Sequence, residues 1–240
     1  MTQPSRDRPD SIVIAASILG ADPLRLGEAL KACESAGGIE WVQVDVMDGH
    51  FTPNLSFGPG TVAGIAKESK LFIDVHLMVS RPAGVLEAFA KAGAKLLTVH
   101  AEAQDSPREC LKTIKTLGLK AGLALKPGTP VEAALPCLDI LDLLLIMTVE
   151  PGFAGQKFIA GSGRKISRAK KLLEEKAPRA RWLQVDGGIG PDTIPEVVRA
   201  GANVLVAGSS LFKEPPSVTA PRLRKAISES LRMSPIENVE

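Results

Sequence analysis

The sequence predicts a single-domain (β/α)8 barrel, and three observations carry that prediction. Short runs rich in Val, Ile and Leu alternate with longer amphipathic segments, eight such pairs fit along the chain, and no Pro/Ser-rich linker separates two halves. Strands alternating with helices require a parallel sheet, because each strand is re-entered from the same end. The 240 residues are close to the roughly 250 typical of this barrel. A doubly wound open sheet is the other architecture built from this alternation, but eight strands and the lack of an early GxGxxG turn favour closure.

The first strand opens near Ile12 and ends at Ser17, and a helix over 23–36 begins with Pro23 and stops at Gly37. Proline in a first turn costs the helix no hydrogen bond, and glycine past the last turn takes the backbone that ends it. The second strand opens at Trp41 and leads to a helix over 58–69; the third opens near Leu71 and leads to one over 82–92, from Pro82 to a stop at Gly93. The fourth strand opens near Leu96, with a helix over 107–117 before Gly118, and the fifth near Lys120, with a short helix over 131–137. Strands near Leu143, Arg181 and Asn203 are followed by helices over 159–176, 191–200 (ending at Gly201) and 217–231. The barrel therefore spans 12–232, between a polar lead-in over 1–11 and a tail over 233–240, both expected to be flexible.

Composition excludes several function classes. With 45% hydrophobic and 23% charged residues the chain can close a large core, which rules out wholesale disorder. A net charge of +2 creates no global field that attracts nucleic acid or acidic lipid, so an anionic ligand must be held locally. Aromatics at 4%, with no Tyr, argue against stacking platforms for single-stranded nucleic acid. Cys33, Cys110 and Cys137 show no CxxC or Cys/His metal spacing, lie on predicted helices, and read as packing residues in a reducing cytoplasm. The N-terminus lacks the apolar core of a secretory signal, and the longest apolar run, 135–149, is interrupted by Asp139 and Asp142, so no membrane span is expected.

Period two turns each strand into a site predictor, because barrel chemistry is built at interior positions near the strands' C-terminal ends. In the second strand Val42, Val44 and Val46 share one face, which packs on helices, leaving Gln43, Asp45 and Met47 inside. In the third, Ile73, Val75 and Leu77 face outward and Asp74, His76 and Met78 inward. In the seventh, Gln184 and Asp186 point inward beside Leu183 and Val185, and the first strand contributes Ser17. Taken singly, each of these is more often a satisfied core residue than a functional one. Together, two carboxylates and an imidazole in a low-dielectric mouth stay unsatisfied unless they share a cation, which points to a divalent metal. Asp74 reads either as a partner that orients His76 or as a buried structural hydrogen bond.

Glycine-rich turns are the second candidate element. Gly152 and Gly155 after the sixth strand, Gly187 and Gly188 after the seventh, and Gly208 before a short helix free backbone N–H groups for a phosphate, and barrels often bind phosphate after strands seven and eight. Each glycine pair alone also reads as a plain turn. Lys126 at the end of the fifth strand is either a ligand contact or a solvated loop lysine; His100 ends the fourth strand near the mouth with its role open, and His50 falls in a loop.

At this point the chain resembles the ribulose-phosphate 3-epimerase family. The likeness runs in order through Ala16-Ser-Ile-Leu19, Val44-Asp-Val-Met-Asp-Gly-His-Phe51, Pro53-Asn54, Asp74-Val-His-Leu-Met-Val79, Gly122-Leu-Ala-Leu-Lys-Pro-Gly128, Met147-Thr-Val-Glu-Pro-Gly-Phe153, Val185-Asp-Gly-Gly188 and Gly208-Ser209. It implies a metal-dependent isomerase that interconverts D-ribulose 5-phosphate and D-xylulose 5-phosphate by two-base proton transfer at C3 through an enediolate. Asp45 and Asp186 are implied as acid/base residues, and Gln43, Asp45, His76 and Asp186 as the positions of the metal ligands. Ser17, His76, Gly152, Phe153, Ala154, Gly155, Gly187, Gly188, Gly208 and Ser209 are implied as substrate contacts, and Met47, Met78 and Met147 as an apolar lining. The family usually carries His where this chain has Gln43, a neutral and harder ligand that weakens zinc and leaves Zn, Mn, Fe(II) and Mg open. A homo-oligomer, dimer or hexamer, is implied as well. The rival readings are an allulose 6-phosphate 3-epimerase, a metal-poor sugar-phosphate-binding pseudoenzyme, and a lyase or decarboxylase on the same barrel. The last is weakened by the lack of an inward lysine in strands two, three and seven.

Overall fold

A computed structural model describes residues 12–177 and 179–232. The expected lead-in over 1–11 and tail over 233–240 lie outside the described residues. Eight parallel strands close into one barrel in sequence order: β1 Val13–Ser17, β2 Trp41–Met47, β3 Phe72–Met78, β4 Leu96–His100, β5 Lys120–Leu125, β6 Leu143–Met147, β7 Trp182–Asp186 and β8 Val204–Ala207. Each strand begins within one residue of the position predicted from its apolar run. Around them lie α1 Leu26–Ala36, α2 Pro59–Glu68, α3 Leu86–Ala92, α4 Pro107–Thr116, α5 Ser162–Lys176, α6 Ile194–Arg199, α7 Ser209–Phe212 and α8 Pro216–Arg232. A 3-10 stretch, Val131–Cys137, stands after β5 in place of the expected α-helix; Pro136 within it has no N–H to donate.

Four helices start later than periodicity predicts: 3-10 turns over Pro23–Arg25 and Pro82–Gly84 stand ahead of α1 and α3, and local contacts delay α5 and α6. The segment before α5 is fastened to the end of β6 by Ile159 N–H donating to Thr148 O at 2.9 Å, and Gly161 turns with φ +83 before the helix can begin. Before α6, Gly190 N–H donates to Thr193 Oγ1 at 3.0 Å, closing a turn that delays the helix to Ile194.

Alternation divides the core in two. Outward side chains such as Val42, Val44, Val75, Leu77, Leu123 and Val185 join the helices in one apolar layer, which also buries the three cysteines. Burial raises the thiols, Cys33 to about 12 and Cys110 to about 11, so they behave as packing groups. Inside the barrel, a smaller cluster holds Ala15, Trp41, Leu96, Ala124, Leu143, Leu145 and Val206. Trp41, Phe72 and Trp182 plug its N-terminal end, with Trp41 4.6 Å from Phe72 and 5.2 Å from Trp182 between ring centroids.

One interior position allows almost no change. A Cβ on Gly122 would lie 2.2 Å from Thr98 Oγ1 and 3.2 Å from Thr98 Cα, across the β4–β5 register that pairs these two residues. Gly122→Ala is therefore expected to lower stability by about 1–3 kcal/mol through overpacking, read as a lower denaturation midpoint at unchanged slope.

Candidate active site

The interior ends of the strands deliver Ser17 from β1, Asp45 from β2, His76 from β3, His100 from β4 and Asp186 from β7. Register sets Asp45 directly beside His76 across β2–β3, and Met147 beside Asp186 across β6–β7. Ser17 Oγ donates to Asp45 Oδ2 at 2.6 Å. His76 Nδ1 lies 3.0 Å from Asp45 Oδ1 and 3.7 Å from Asp186 Oδ2. One ligand atom from each of Asp45, His76 and Asp186 lies within 4.8 Å of the others, the spread expected of ligands bound at about 2.0–2.2 Å around one ion.

Electrostatics fit a cation as well. Burial drives the Asp186 carboxyl up to about 7, and the Asp45 charge adds to it. At His76 burial opposes the charged form, but the hydrogen bond and charge of Asp45, with the charges of Asp186 and Asp74, outweigh it and raise the pKa. An imidazole nitrogen facing two carboxylate oxygens needs positive charge between them, as a proton or as a metal ion. Asp45, His76 and Asp186 thus form an N/O donor set suited to a divalent cation.

Gln43, expected among the ligands, presents its amide nitrogen. Nε2 donates to Asp45 Oδ1 at 2.9 Å and to Asp186 Oδ2 at 2.8 Å, while Oε1 accepts from Gln184 Nε2 at 3.2 Å. The orientation follows from the neighbours, because a reversed amide sets oxygen against carboxylates and nitrogen against nitrogen. Ligation through Oε1 requires the amide to turn over. Gln184 Nε2 also donates to Asp74 Oδ2 at 2.6 Å. Of its two readings, Asp74 fits the structural one: both ring nitrogens of His76 are taken by other groups, and burial holds Asp74 up at about 7.

The role left open for His100 has a geometric answer. Its Nε2 lies 2.9 Å from His76 Nε2, and its Nδ1 3.0 Å from Glu102 Oε2. Glu102 was not singled out in the sequence; it stands in the turn just past His100, beyond the end of β4. Burial works against its charge, yet hydrogen bonds from His100, Thr129 and Lys126 hold it down at about 2. His100, fully buried, is lowered to about 4 by that burial. Lys126 does not border the cleft; its backbone N–H donates to Glu102 and its Nζ sits 4.0 Å from the centre of the Phe51 ring. His50 is in the loop after β2, bonded to Asp48.

Above the floor opens a cleft. Ser17, Asp45 and Asp186 reach it beside Met47, Met78 and Met147, whereas Gln43 and His76 lie beneath with no exposed surface. Gly152, Phe153, Ala154, Gly155, Gly187, Gly188, Gly208 and Ser209 form part of the remaining wall, with Glu150 and Gln156 among their neighbours there. Gly188, at φ +63, cannot be replaced, since an added Cβ would meet Phe158 N at 2.4 Å. Among the described residues, no Lys or Arg borders the cleft.

With this geometry established, comparison with known sequences decides the family. The profile of the "Ribulose-phosphate 3 epimerase family" matches residues 13–212, the barrel from β1 through α7. The chain belongs to the ribulose-phosphate 3-epimerase family. Similar members of that family include the ribulose-phosphate 3-epimerase of Bacillus subtilis, 45% identical over 91% of this chain and 97% of its own. That of Rhodobacter capsulatus is 47% identical over 85% of this chain and 87% of its own. The chloroplastic ribulose-5-phosphate-3-epimerase of Arabidopsis thaliana is 46% identical over 84% and 72%. Among solved structures, 3-hexulose-6-phosphate synthase from Salmonella typhimurium superposes with TM-score 0.66 at 16% identity, covering 91% of this chain and 100% of its own. The 3-keto-L-gulonate-6-phosphate decarboxylase from Vibrio cholerae gives 0.65 at 15%, covering 91% and 98%. At such identities these two share the barrel fold with this chain. No helix of the described residues is long and apolar enough to cross a membrane.

Proposed function

We propose that the chain is an epimerase that requires one divalent cation and interconverts D-ribulose 5-phosphate and D-xylulose 5-phosphate through an enediolate. The observation that carries this reading is the meeting of Asp45, His76 and Asp186 within 4.8 Å at the floor of a glycine-walled cleft, in a chain of this family.

Inversion beside a ketone needs a proton removed from one face and another delivered to the opposite face, which two groups do better than one. Asp45 on β2 and Asp186 on β7 supply the two. Burial and mutual repulsion raise the Asp186 carboxyl, and a cation lowers it again, so the pair can hold one acid and one base at neutral pH. Ser17 and Gln43 donate to Asp45 and hold its carboxyl group in position; in the reverse direction the roles of the two aspartates exchange. Asp45, His76 and Asp186 would hold the cation, which supplies positive charge beside the oxygens where negative charge develops. Met47, Met78 and Met147 keep the reacting carbons in an apolar setting. With no basic side chain of the described residues at the cleft, the phosphate rests on backbone amides of the 152–155, 187–188 and 208–209 turns. Three buried thiols suit a reducing compartment, the cytoplasm in this reading.

A coupled assay on ribulose 5-phosphate, with and without chelator, tests reaction and cation together. Activity is expected to disappear on chelation and to return with added zinc, manganese, iron(II) or magnesium. Faster turnover of allulose 6-phosphate would reassign the substrate, and absence of solvent deuterium uptake into either pentulose would leave only a binding protein.

A further inference from the structure

We propose that Glu102 and His100 are positioning residues that fix the tautomer of His76, leaving its Nδ1 with a bare lone pair directed at the space between Asp45 and Asp186. This deepens the metal-dependent reading above and rests on it for what fills that space.

The backbone N–H of Lys126 and the ionised carboxylate of Glu102 have a hydrogen-bond sense that cannot change. Glu102 Oε1 faces the backbone N–H of Lys126 at 2.8 Å and the hydroxyl of Thr129, so that end of the carboxylate accepts. Its Oε2 faces His100 Nδ1 at 3.0 Å; a carboxylate oxygen accepts, so Nδ1 carries the hydrogen. A neutral imidazole has one N–H, which leaves His100 Nε2 as an acceptor. Opposite it, at 2.9 Å, His76 Nε2 must therefore be the donor. With that hydrogen held on Nε2, His76 can present a lone pair on Nδ1, the atom 3.0 Å from Asp45 and 3.7 Å from Asp186, once a cation takes the place of the proton those carboxylates otherwise draw there. The ring that passes this information on is fully buried against Phe51, whose centroid is 4.7 Å away.

Glu102→Gln reverses the chain. The two donors on the Oε1 side keep the amide oxygen there, so the amide nitrogen faces His100 Nδ1. His100 then carries its hydrogen on Nε2, and His76 carries its own on Nδ1, where it blocks a cation.

Zinc affinity, measured by competition with a chromophoric chelator, is expected to fall about 10–100-fold in Glu102→Gln. Long-range proton–nitrogen NMR of the unmodified protein, which has three histidines to assign, is expected to show His100 protonated on Nδ1 and, with zinc bound, His76 on Nε2. Unchanged zinc affinity in Glu102→Gln, or a His100 protonated on Nε2, overturns the proposal. Should the variant fail to fold, the spectrum of the unmodified protein still decides. An unmodified protein that binds none of the four metals overturns the metal reading instead, and the His100 tautomer in that protein still reports on the relay.

Discussion

Asp45→Asn and Asp186→Asn, made singly, are each expected to lower kcat for epimerisation by about 10²–10⁴-fold, the usual worth of a positioned acid or base. Asparagine keeps the size and one oxygen of the carboxylate, so packing around Ser17 and Gln43 survives while proton transfer on one face is lost. The diagnostic result is asymmetric. Each variant should still exchange the C3 proton of one epimer with solvent, through its intact partner, while failing to convert it into the other. Deuterium uptake followed separately from ribulose 5-phosphate and from xylulose 5-phosphate reads this directly, and opposite epimers should respond in the two variants. Near-normal turnover in either variant would remove the two-base scheme.

The second large effect is a gain. Gln43→His is expected to tighten zinc binding by at least about tenfold, or about 1.4 kcal/mol, measured by competition with a chelator of known affinity. As found, the Gln43 amide occupies both carboxylates with its nitrogen and spends its oxygen on Gln184. A cation must displace those two donated bonds before Asp45 and Asp186 can turn their oxygens to it. An imidazole at this position offers a lone pair that prefers zinc over the harder ions. The relative preference for manganese and magnesium should therefore fall in the variant, and equal zinc affinity in the two proteins would show that the amide turns over at little cost.

Much of the site was legible because strand alternation is rigid. Once β2 and β3 are recognised, Val42, Val44 and Val46 must pack on helices, and Asp45 and His76 have only the barrel interior left. The floor is different. Which atom of Gln43 faces the carboxylates depends on Gln184, 141 residues away, and the partner of His76 depends on where the β3–β4 pairing sets His100. No periodicity encodes an amide's orientation or a ring's tautomer. Glu102 escaped for a related reason: it stands past the end of β4 in a turn, where alternation no longer guides the reading, although its carboxylate fixes the hydrogen bonding of two histidines. Helix starts were lost where single contacts, such as Ile159 on Thr148, hold the chain extended beyond its apolar pattern.

The aromatic plug makes a spectroscopic reporter of this chain. Both tryptophans sit at the sealed end, 5.2 Å apart between ring centroids, and the sequence has no tyrosine. Ultraviolet emission therefore comes from a single pair contributed by β2 and β7, strands that neighbour each other only across the lumen. Loss of that signal should follow opening of the cylinder as a whole, whereas titrating a sugar phosphate into the far mouth should leave it flat.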